Sequence, residues 1–145
     1  MADVVDKATR SRMMSGIRSQ NTRPEIELRT ALHTLGLRYR LHVRDLPGRP
    51  DIVFPRYRAV VQVHGCFWHR HKGCKFTTTP TTNDAFWSAK FEKNIRRDLE
   101  TRDLLDRSGW RTAVVWECSI RAEGGRTLAP ILQKWLEGQE PRLDI

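Results

Sequence analysis

The sequence predicts an α/β fold in which a mixed central sheet is flanked by helices. A segment with helical spacing, 84–107, separates two β-branched segments, 59–64 and 112–117. This separation is long enough for a right-handed crossover between parallel strands. Shorter alternating segments precede residue 59, and the turns between them contain Pro and Gly, which favours antiparallel pairing before the crossover.

The chain opens with a basic arm, which we predict to span residues 1–23. Thr22 stands where a helix begins, with Pro24 early in the first turn and Glu25 three residues after the cap. Apolar residues then recur at helical spacing up to Gly36. These features predict a helix over 24–35.

Three strands are predicted next. Apolar and polar residues alternate over 39–43, which indicates a half-buried strand before the turn at 46–50. A short strand over 51–54 and the β-branched run over 59–64 then form a predicted hairpin.

The second half begins with an aperiodic loop at about 66–83, which needs something other than a core to order it. Helical spacing at 84–107 and a buried strand over 112–117 follow. One face of a closing helix carries Leu128, Ile131, Leu132, Trp135 and Leu136. We therefore predict one domain over 1–145, with a core at 24–137 and a tail at 138–145.

Composition points to a polyanionic partner. The 145 residues include 26 Lys and Arg against 17 Asp and Glu, a net charge of +9, and 39% are hydrophobic, which excludes disorder. Nucleic acid is the leading candidate, and a solvated basic surface is the alternative. There is no apolar run of about 18 residues and no recognisable leader, so we expect a cytoplasmic protein without a membrane segment.

Polar side chains on neighbouring predicted strands indicate a catalytic metal site. Asp51 begins one strand, and Gln62 and His64 share a face of the next. Such a group can hold Mg²⁺ and orient a water for phosphodiester hydrolysis, with Glu25 as a second carboxylate. The alternative for Asp51 alone is a turn-capping role.

Cysteine and histidine spacing indicates a second metal. Cys66, His71, Cys74 and Cys118 supply three thiols and an imidazole, a set that suits tetrahedral Zn²⁺ in a structural site. The alternative is three buried thiols with surface histidines. His69 lies outside this set, so it and His64 are candidates for catalysis, one as general base and one stabilising phosphorane charge.

The other histidines, His33 and His42, are interpreted as surface or hydrogen-bonded residues. Aromatic residues flank the loop, and we expect Phe67, Trp68 and Trp87 to contact DNA by stacking or wedging. Core packing is the alternative, and we prefer it for Phe86. Lys90 and Asn94 share a helix face and are candidates for base contacts.

Several motifs together resemble the very-short-patch-repair (Vsr) mismatch endonucleases. They occur in matching order from about residue 2 to the last helix: DKATRS at 6–11, LPGRPD at 46–51, HGCFWH at 64–69, FW at 86–87 followed by Lys90 and KN at 93–94, GW at 109–110, and VWEC at 115–118.

The resemblance implies a restriction-endonuclease-like fold. It also implies a Mg²⁺-dependent nick on the 5′ side of the thymine in a T:G mismatch, which arises when 5-methylcytosine deaminates in a methyltransferase site. Asp51 would bind Mg²⁺, His64 and His69 would be catalytic, and Glu25 would act through water bound to the metal.

The resemblance extends to the remaining sites. The zinc ligands of the family map onto Cys66, His71, Cys74 and Cys118. Met14 maps onto a minor-groove contact from the arm. The aromatic wedge and the mismatch-reading residues map onto Phe67, Trp68, Trp87, Lys90 and Asn94.

Two positions depart from the general pattern. The signature of the fold ends with Glu or Gln, any residue and then Lys, and here His64 stands in place of the lysine. This argues against Gln62 as a direct ligand and favours the Val63 carbonyl. Two residues, Lys72 and Gly73, separate His71 from the next cysteine, one more than in some members, and Gly73 is expected to absorb the extra length.

Two other functions fit the sequence less well. One is a restriction-type nuclease that cuts matched duplex, and the other is a zinc-stabilised DNA-binding module without catalysis. We expect the partner to be double-stranded DNA with a T:G mismatch. Mismatch-repair proteins are further candidate partners of what we expect to be a monomer, cytoplasmic and associated with the nucleoid.

Overall fold

The computed structural model describes residues 20–145, so Met14 and most of the predicted arm lie outside the described residues. Its elements are α1 (Arg23–Thr34), β1 (Arg40–Leu41), β2 (Ile52–Phe54), a 3₁₀ turn (Pro55–Tyr57), β3 (Ala59–His64), α2 (Asp84–Arg107), β4 (Arg111–Trp116), α3 (Glu117–Glu123), α4 (Gly125–Glu137) and β5 (Arg142–Asp144).

The five strands form one mixed sheet in the order β1-β2-β3-β4-β5. The first three are antiparallel, and β4 is parallel to both β3 and β5. Helix α2 connects β3 to β4, so the predicted crossover and the mixed sheet are confirmed. Among residues 20–145, no helix is long and apolar enough to cross a membrane.

Three elements differ from the prediction. β1 contains only two residues, because His42 adopts a left-handed conformation with φ of 48° and ends the strand. The late strand ends at Trp116, and Cys118 lies in the first turn of α3, a helix the periodicity did not indicate. The segment predicted as a tail contributes β5. The first and last residues of this strand are polar, and its middle residue, Leu143, packs against the core.

The two faces of the sheet are covered differently. Ile52, Val61 and Val115 face α1, α3 and α4, where the larger core cluster lies. Val53 and Val60 point to the opposite face and pack with Leu105 near the end of α2. Because side chains alternate along a strand, His64 lies on the α2 face with Val60.

Helix α2 is buried only at two contact points. Phe91 and Leu105 are buried, whereas Ile95 and Leu99 are 43% and 52% exposed. The helix contacts the aromatic loop near Phe91 and the sheet at Leu105, and the turns between these contacts carry the exposed residues. The spacing of Phe91, Ile95 and Leu99 thus marks a helix whose apolar face is covered only in part.

A tight turn sets the position of Asp51. Gly48 has φ of 73°, and a Cβ atom at this residue would lie 2.3 Å from Cγ2 of Thr101 on α2. Only glycine combines this backbone conformation with such a close approach. The turn thus packs directly on α2 and delivers Asp51 to the start of β2, beside β3.

Candidate active site and metal centre

Two carboxylates meet at the start of β2. Asp51 Oδ2 accepts a hydrogen bond of 2.8 Å from the Val63 N–H on β3, and its ligand oxygen lies within 4.8 Å of that of Glu25 on α1. Burial, opposed by the Val63 hydrogen bond and reinforced by the Glu25 charge, raises the pKa of Asp51 to about 7. A site that disfavours its own negative charge in this way favours a bound cation.

Glu25 is buried to 1% exposure and is held by its surroundings. Thr22 caps α1 as predicted, with its hydroxyl accepting from the Glu25 N–H. The Glu25 carboxylate in turn accepts from the backbone N–H of Asn21 and from Arg29. This is a variant of the capping box in which Glu25 accepts from the residue before the cap, so the same residue both starts the helix and faces Asp51.

His42 belongs to this group, although its sequence context predicted only a surface or hydrogen-bonded residue. Its Nε2 lies 2.9 Å from Oε2 and 3.2 Å from Oε1 of Glu25, and its side chain is 15% exposed. No periodicity or motif marks His42, because its position depends on a left-handed backbone after β1.

His64 and His69 come together as predicted. Their rings stack with centroids 3.8 Å apart and planes at 4°. Among residues 20–145, His64 Nε2 is a buried nitrogen without a hydrogen-bond partner. Burial, together with the neighbouring His69, lowers the pKa of His64 to about 3, so its imidazole is neutral at physiological pH.

Asp98 on α2 completes the histidine group, although no motif in the sequence marks this residue. His69 Nδ1 lies 2.6 Å from Asp98 Oδ2. The ligand atoms of His64, His69 and Asp98 lie within 4.8 Å of one another, but the two parallel rings direct their in-plane lone pairs side by side rather than at one point. The geometry therefore suits proton transfer better than metal binding.

The four predicted zinc ligands form a cluster. Nδ1 of His71 lies 3.7 Å from Sγ of Cys66 and 3.4 Å from Sγ of Cys118, and all four ligand atoms, including Cys74, lie within 4.8 Å of one another. A sulfur and a nitrogen on tetrahedral zinc are about 3.6 Å apart. The observed spacing fits such an ion.

The thiols themselves also favour a cation. Burial and the neighbouring thiols raise the pKa of Cys66 to about 12. At Cys74, hydrogen bonds from the Phe76 backbone and His71 outweigh desolvation and lower the pKa to about 7. All three cysteines are free thiols, and they lie close together. A bound metal would stabilise them as thiolates.

Aromatic side chains cluster where the loop meets α2. The Phe67 ring contacts the rings of Trp68, Trp87 and Phe91 at centroid distances of 5.0, 5.7 and 5.3 Å. Phe67, Trp68 and Trp87 are half-buried, so part of each ring remains accessible. Phe86, for which core packing was expected, is 58% exposed because it precedes the buried face of α2, and that expectation was wrong.

The two candidate base-contacting residues lie against this cluster. Asn94 Nδ2 donates to the Trp68 carbonyl at 3.3 Å, and Lys90 Nζ lies 5.4 Å from the Trp68 ring centroid. Arg70 lies 4.0 Å from the Phe91 ring centroid and donates to the Thr78 carbonyl. No pattern in the sequence marks this residue. Cations thus surround the accessible aromatic rings.

Strand β3 connects the carboxylate pair to the stacked histidines. The Val63 N–H binds Asp51, and the next residue, His64, stacks on His69. Gln62 and Val63 are both half-buried on that strand. Paired carboxylates beside two stacked imidazoles, next to half-buried aromatic rings in a chain of net charge +9, are typical of an enzyme that cleaves nucleic acid.

Comparison with known proteins gives the family. The sequence model of the family "DNA mismatch endonuclease Vsr" matches residues 2–75. Type II nicking enzyme V.XorIIP of Xanthomonas oryzae pv. oryzae is 48% identical over 83% of this chain and 88% of its own length. DNA mismatch endonuclease Vsr of Escherichia coli K12 is 42% identical over 99% of this chain and 95% of its own length.

A third relative, type II nicking enzyme V.NmeAIP of Neisseria meningitidis serogroup A, is 39% identical over 83% of this chain and 86% of its own length. The chain therefore belongs to the Vsr family of DNA mismatch endonucleases, and it is a nuclease that acts on DNA.

Proposed function

We propose that this protein nicks the thymine strand on the 5′ side of a T:G mismatch, such as that left by deamination of 5-methylcytosine, in a Mg²⁺-dependent reaction. Family membership supports the mismatch substrate, and the names of two relatives describe nicking enzymes. The substrate and the metal are the parts of this proposal that the experiment below tests.

The observation that carries the proposal is that the ligand oxygens of Asp51 and Glu25 lie within 4.8 Å of each other. Two carboxylates share a largely buried position, and the pKa of Asp51 is raised to about 7. Oxygen ligands of this kind suit Mg²⁺, and Asp51 with the Val63 carbonyl would hold it. The bound ion would act as a Lewis acid towards the phosphate and lower the pKa of a nearby water.

The histidines divide the proton chemistry. Because a carboxylate only accepts hydrogen bonds, Asp98 holds the proton of His69 on Nδ1 and leaves Nε2 of His69 free to accept one. We assign His69 as the general base. His64 is neutral, and with its hydrogen on the unpartnered Nε2 it would donate to the reacting phosphate and steady developing charge.

The Cys66, His71, Cys74 and Cys118 cluster would hold Zn²⁺ in a structural role. Four protein ligands leave no open coordination position. The cluster ties the loop that carries His69, which begins directly after His64 at the end of β3, to α3, so zinc would order the stacked histidines without contacting the substrate.

Mismatch recognition is assigned to the aromatic cluster. Phe67, Trp68 and Trp87 would insert beside the mismatch, and unstacking a base step costs about a few kcal/mol that added contacts offset. Lys90 and Asn94 border the same cluster and would read the mispaired bases. Met14 is proposed to contact the minor groove from the arm.

The wider organisation is part of the same proposal. We assign the chain a restriction-endonuclease-like fold and one endonuclease domain over 1–145, with residues 1–23 as a DNA-contacting arm. The sheet is antiparallel from β1 to β3 and parallel from β3 to β5, and Asp51 lies beside β3. This arrangement supports the assignment. We further propose a monomer in the cytoplasm at the nucleoid, with mismatch-repair proteins as candidate partners.

The test is cleavage of end-labelled duplexes on denaturing gels. Duplexes with one T:G mismatch in varied sequence contexts are compared with T:A and C:G duplexes, in Mg²⁺ and in EDTA. We expect a Mg²⁺-dependent nick confined to the T strand, and its loss in Asp51→Asn. Asp103→Asn, on an exposed face of α2, is the matched control.

Each alternative function has its own signature. Cutting of matched duplex would instead support a restriction-type nuclease. Mismatch binding without cleavage in Mg²⁺ would support a binding module, and cleavage by Asp51→Asn would refute the assigned site.

A further inference from the structure

His42 connects the two segments that carry the active-site carboxylates. Its backbone N–H donates to the Asp51 carbonyl at 3.1 Å, and its ring lies against the Glu25 carboxylate. The φ angle of 48° is uncommon for a residue other than glycine, although histidine adopts it more readily than most. This backbone conformation turns the chain after β1 and directs the ring at Glu25.

The contacts of Glu25 show which role the His42 ring has. Oε1 accepts from the Asn21 N–H at 3.2 Å, Oε2 accepts from Arg29 at 2.6 Å, and His42 Nε2 lies between the two oxygens. Because a carboxylate offers only acceptors, Nε2 must carry the hydrogen. His42 is therefore a donor in this arrangement, and its Nε2 lone pair is not available to a metal.

Glu25 needs such donors because it is almost completely buried beside a second carboxylate. A buried charge is stable only when it is paired and hydrogen-bonded. Arg29 neutralises one oxygen from α1, but among residues 20–145 only His42 contacts both oxygens. Without His42, Oε1 would keep the Asn21 donor and Oε2 the Arg29 donor, but the carboxylate would lose the one donor that both oxygens share.

We propose that His42 is a positioning residue, whose Nε2–H donor fixes the orientation of Glu25 towards Asp51 at the metal site. The inference rests on the proposed function, since it takes Glu25 and Asp51 as parts of a divalent-cation site. Partners in this outer layer commonly change metal affinity or activity by about 10- to 100-fold when they are removed.

Two substitutions separate donor geometry from simple loss of a side chain. In His42→Gln, the amide nitrogen reaches nearly the position of Nε2, whereas in His42→Asn it reaches only the position of Nδ1. Both replacements are polar, and asparagine tolerates a positive φ. His33→Gln and His33→Asn, at an exposed histidine on α1, are the matched controls.

Two readouts are used on the full chain. The first is the Mn²⁺ affinity of the DNA-free protein, measured by electron paramagnetic resonance. The second is the single-turnover rate of nicking of a T:G duplex, measured together with the dissociation constant for that duplex. We expect His42→Asn to weaken Mn²⁺ binding and to slow nicking by about tenfold or more, with mismatch affinity within about twofold. His42→Gln should recover most of both losses.

The outcomes are distinguishable from failure of the proposed function. If wild-type protein does not nick, the proposed function fails, and Mn²⁺ affinity alone decides the role of His42. Equal Mn²⁺ affinity in wild type, His42→Gln and His42→Asn would overturn the inference. Equal loss in both variants would also overturn it, because the imidazole itself and not the Nε2–H donor would then be required.

Discussion

Asp98 on α2 and His69 in the loop after β3 are joined by a 2.6 Å contact across 29 residues of sequence. Each side chain is 28% exposed, so the pair lies at the surface of the site and not in the core. Because the carboxylate accepts the hydrogen of Nδ1, the contact fixes the tautomer of His69 and leaves its Nε2 for proton transfer.

Replacing Asp98 by Asn tests this relationship. The amide can donate as well as accept, so His69 would no longer be held in one tautomer. We expect the single-turnover nicking rate to fall about tenfold or more while mismatch affinity stays within about twofold. Asp103→Asn on the same helix should match wild type, and an unchanged rate in Asp98→Asn would contradict the assigned base.

Asp51 predicts a specific pH dependence of stability. Its pKa is raised in the folded state from 3.8 to about 7, so its contribution is complete below pH 3.8 and is lost as the pH rises through about 7. Asp51→Asn removes this titration. Without added Mg²⁺, the variant should exceed wild type in unfolding free energy by a margin that grows from pH 5.5 to 7 and then stays level.

The margin is expected to reach about 1–3 kcal/mol, measured by urea unfolding at each pH. His64 has the opposite trend, since its pKa is lowered to about 3 and its contribution is lost as the pH falls below 6.5. That effect is common to both proteins and cancels in the difference. A margin that did not change with pH would show that Asp51 is ionised normally.

Cys118→Ser tests the structural metal. Serine cannot replace a thiolate ligand, so we expect one equivalent of zinc to be lost and the melting temperature to fall by about 10 °C or more. Metal content is measured by elemental analysis and melting by circular dichroism. Ser119→Ala, at the next residue of α3, is the control. Unchanged zinc content in Cys118→Ser would refute the ligand set.

Trp87→Ala tests the aromatic cluster. Stacking of a base on an aromatic ring contributes about 1–3 kcal/mol, so affinity for a T:G duplex should fall by about 5- to 150-fold. Phe76→Ala is the control, because Phe76 lies in the same loop but contacts Lys75 and Arg121 instead of the cluster. Equal loss in both variants would indicate general loosening of the loop.

Local patterns in the sequence were enough for the main elements. The Thr22 cap and the helix after it, strand β3 and the full extent of α2 agree with the prediction, because each depends on residues within a few positions of one another. The Cys and His ligand set also came from spacing, and its geometry fits zinc.

Other features depend on packing between distant segments. β5 is stabilised by pairing with β4 and by an ion pair between Arg142 and Asp106, neither of which leaves a periodic pattern. The exposure of Ile95 and Leu99 follows from where α2 contacts the sheet and the loop. Helical spacing shows that residues share a face, but not whether another element covers it.

The residue types and spacings therefore predicted Asp51, His64, His69 and the Cys and His ligands, since ligand chemistry limits which side chains can serve. Only the tertiary structure placed His42 and Asp98 beside these residues. Their contacts join separate elements, and the orientation that makes them neighbours comes from a left-handed residue and from the packing of α2.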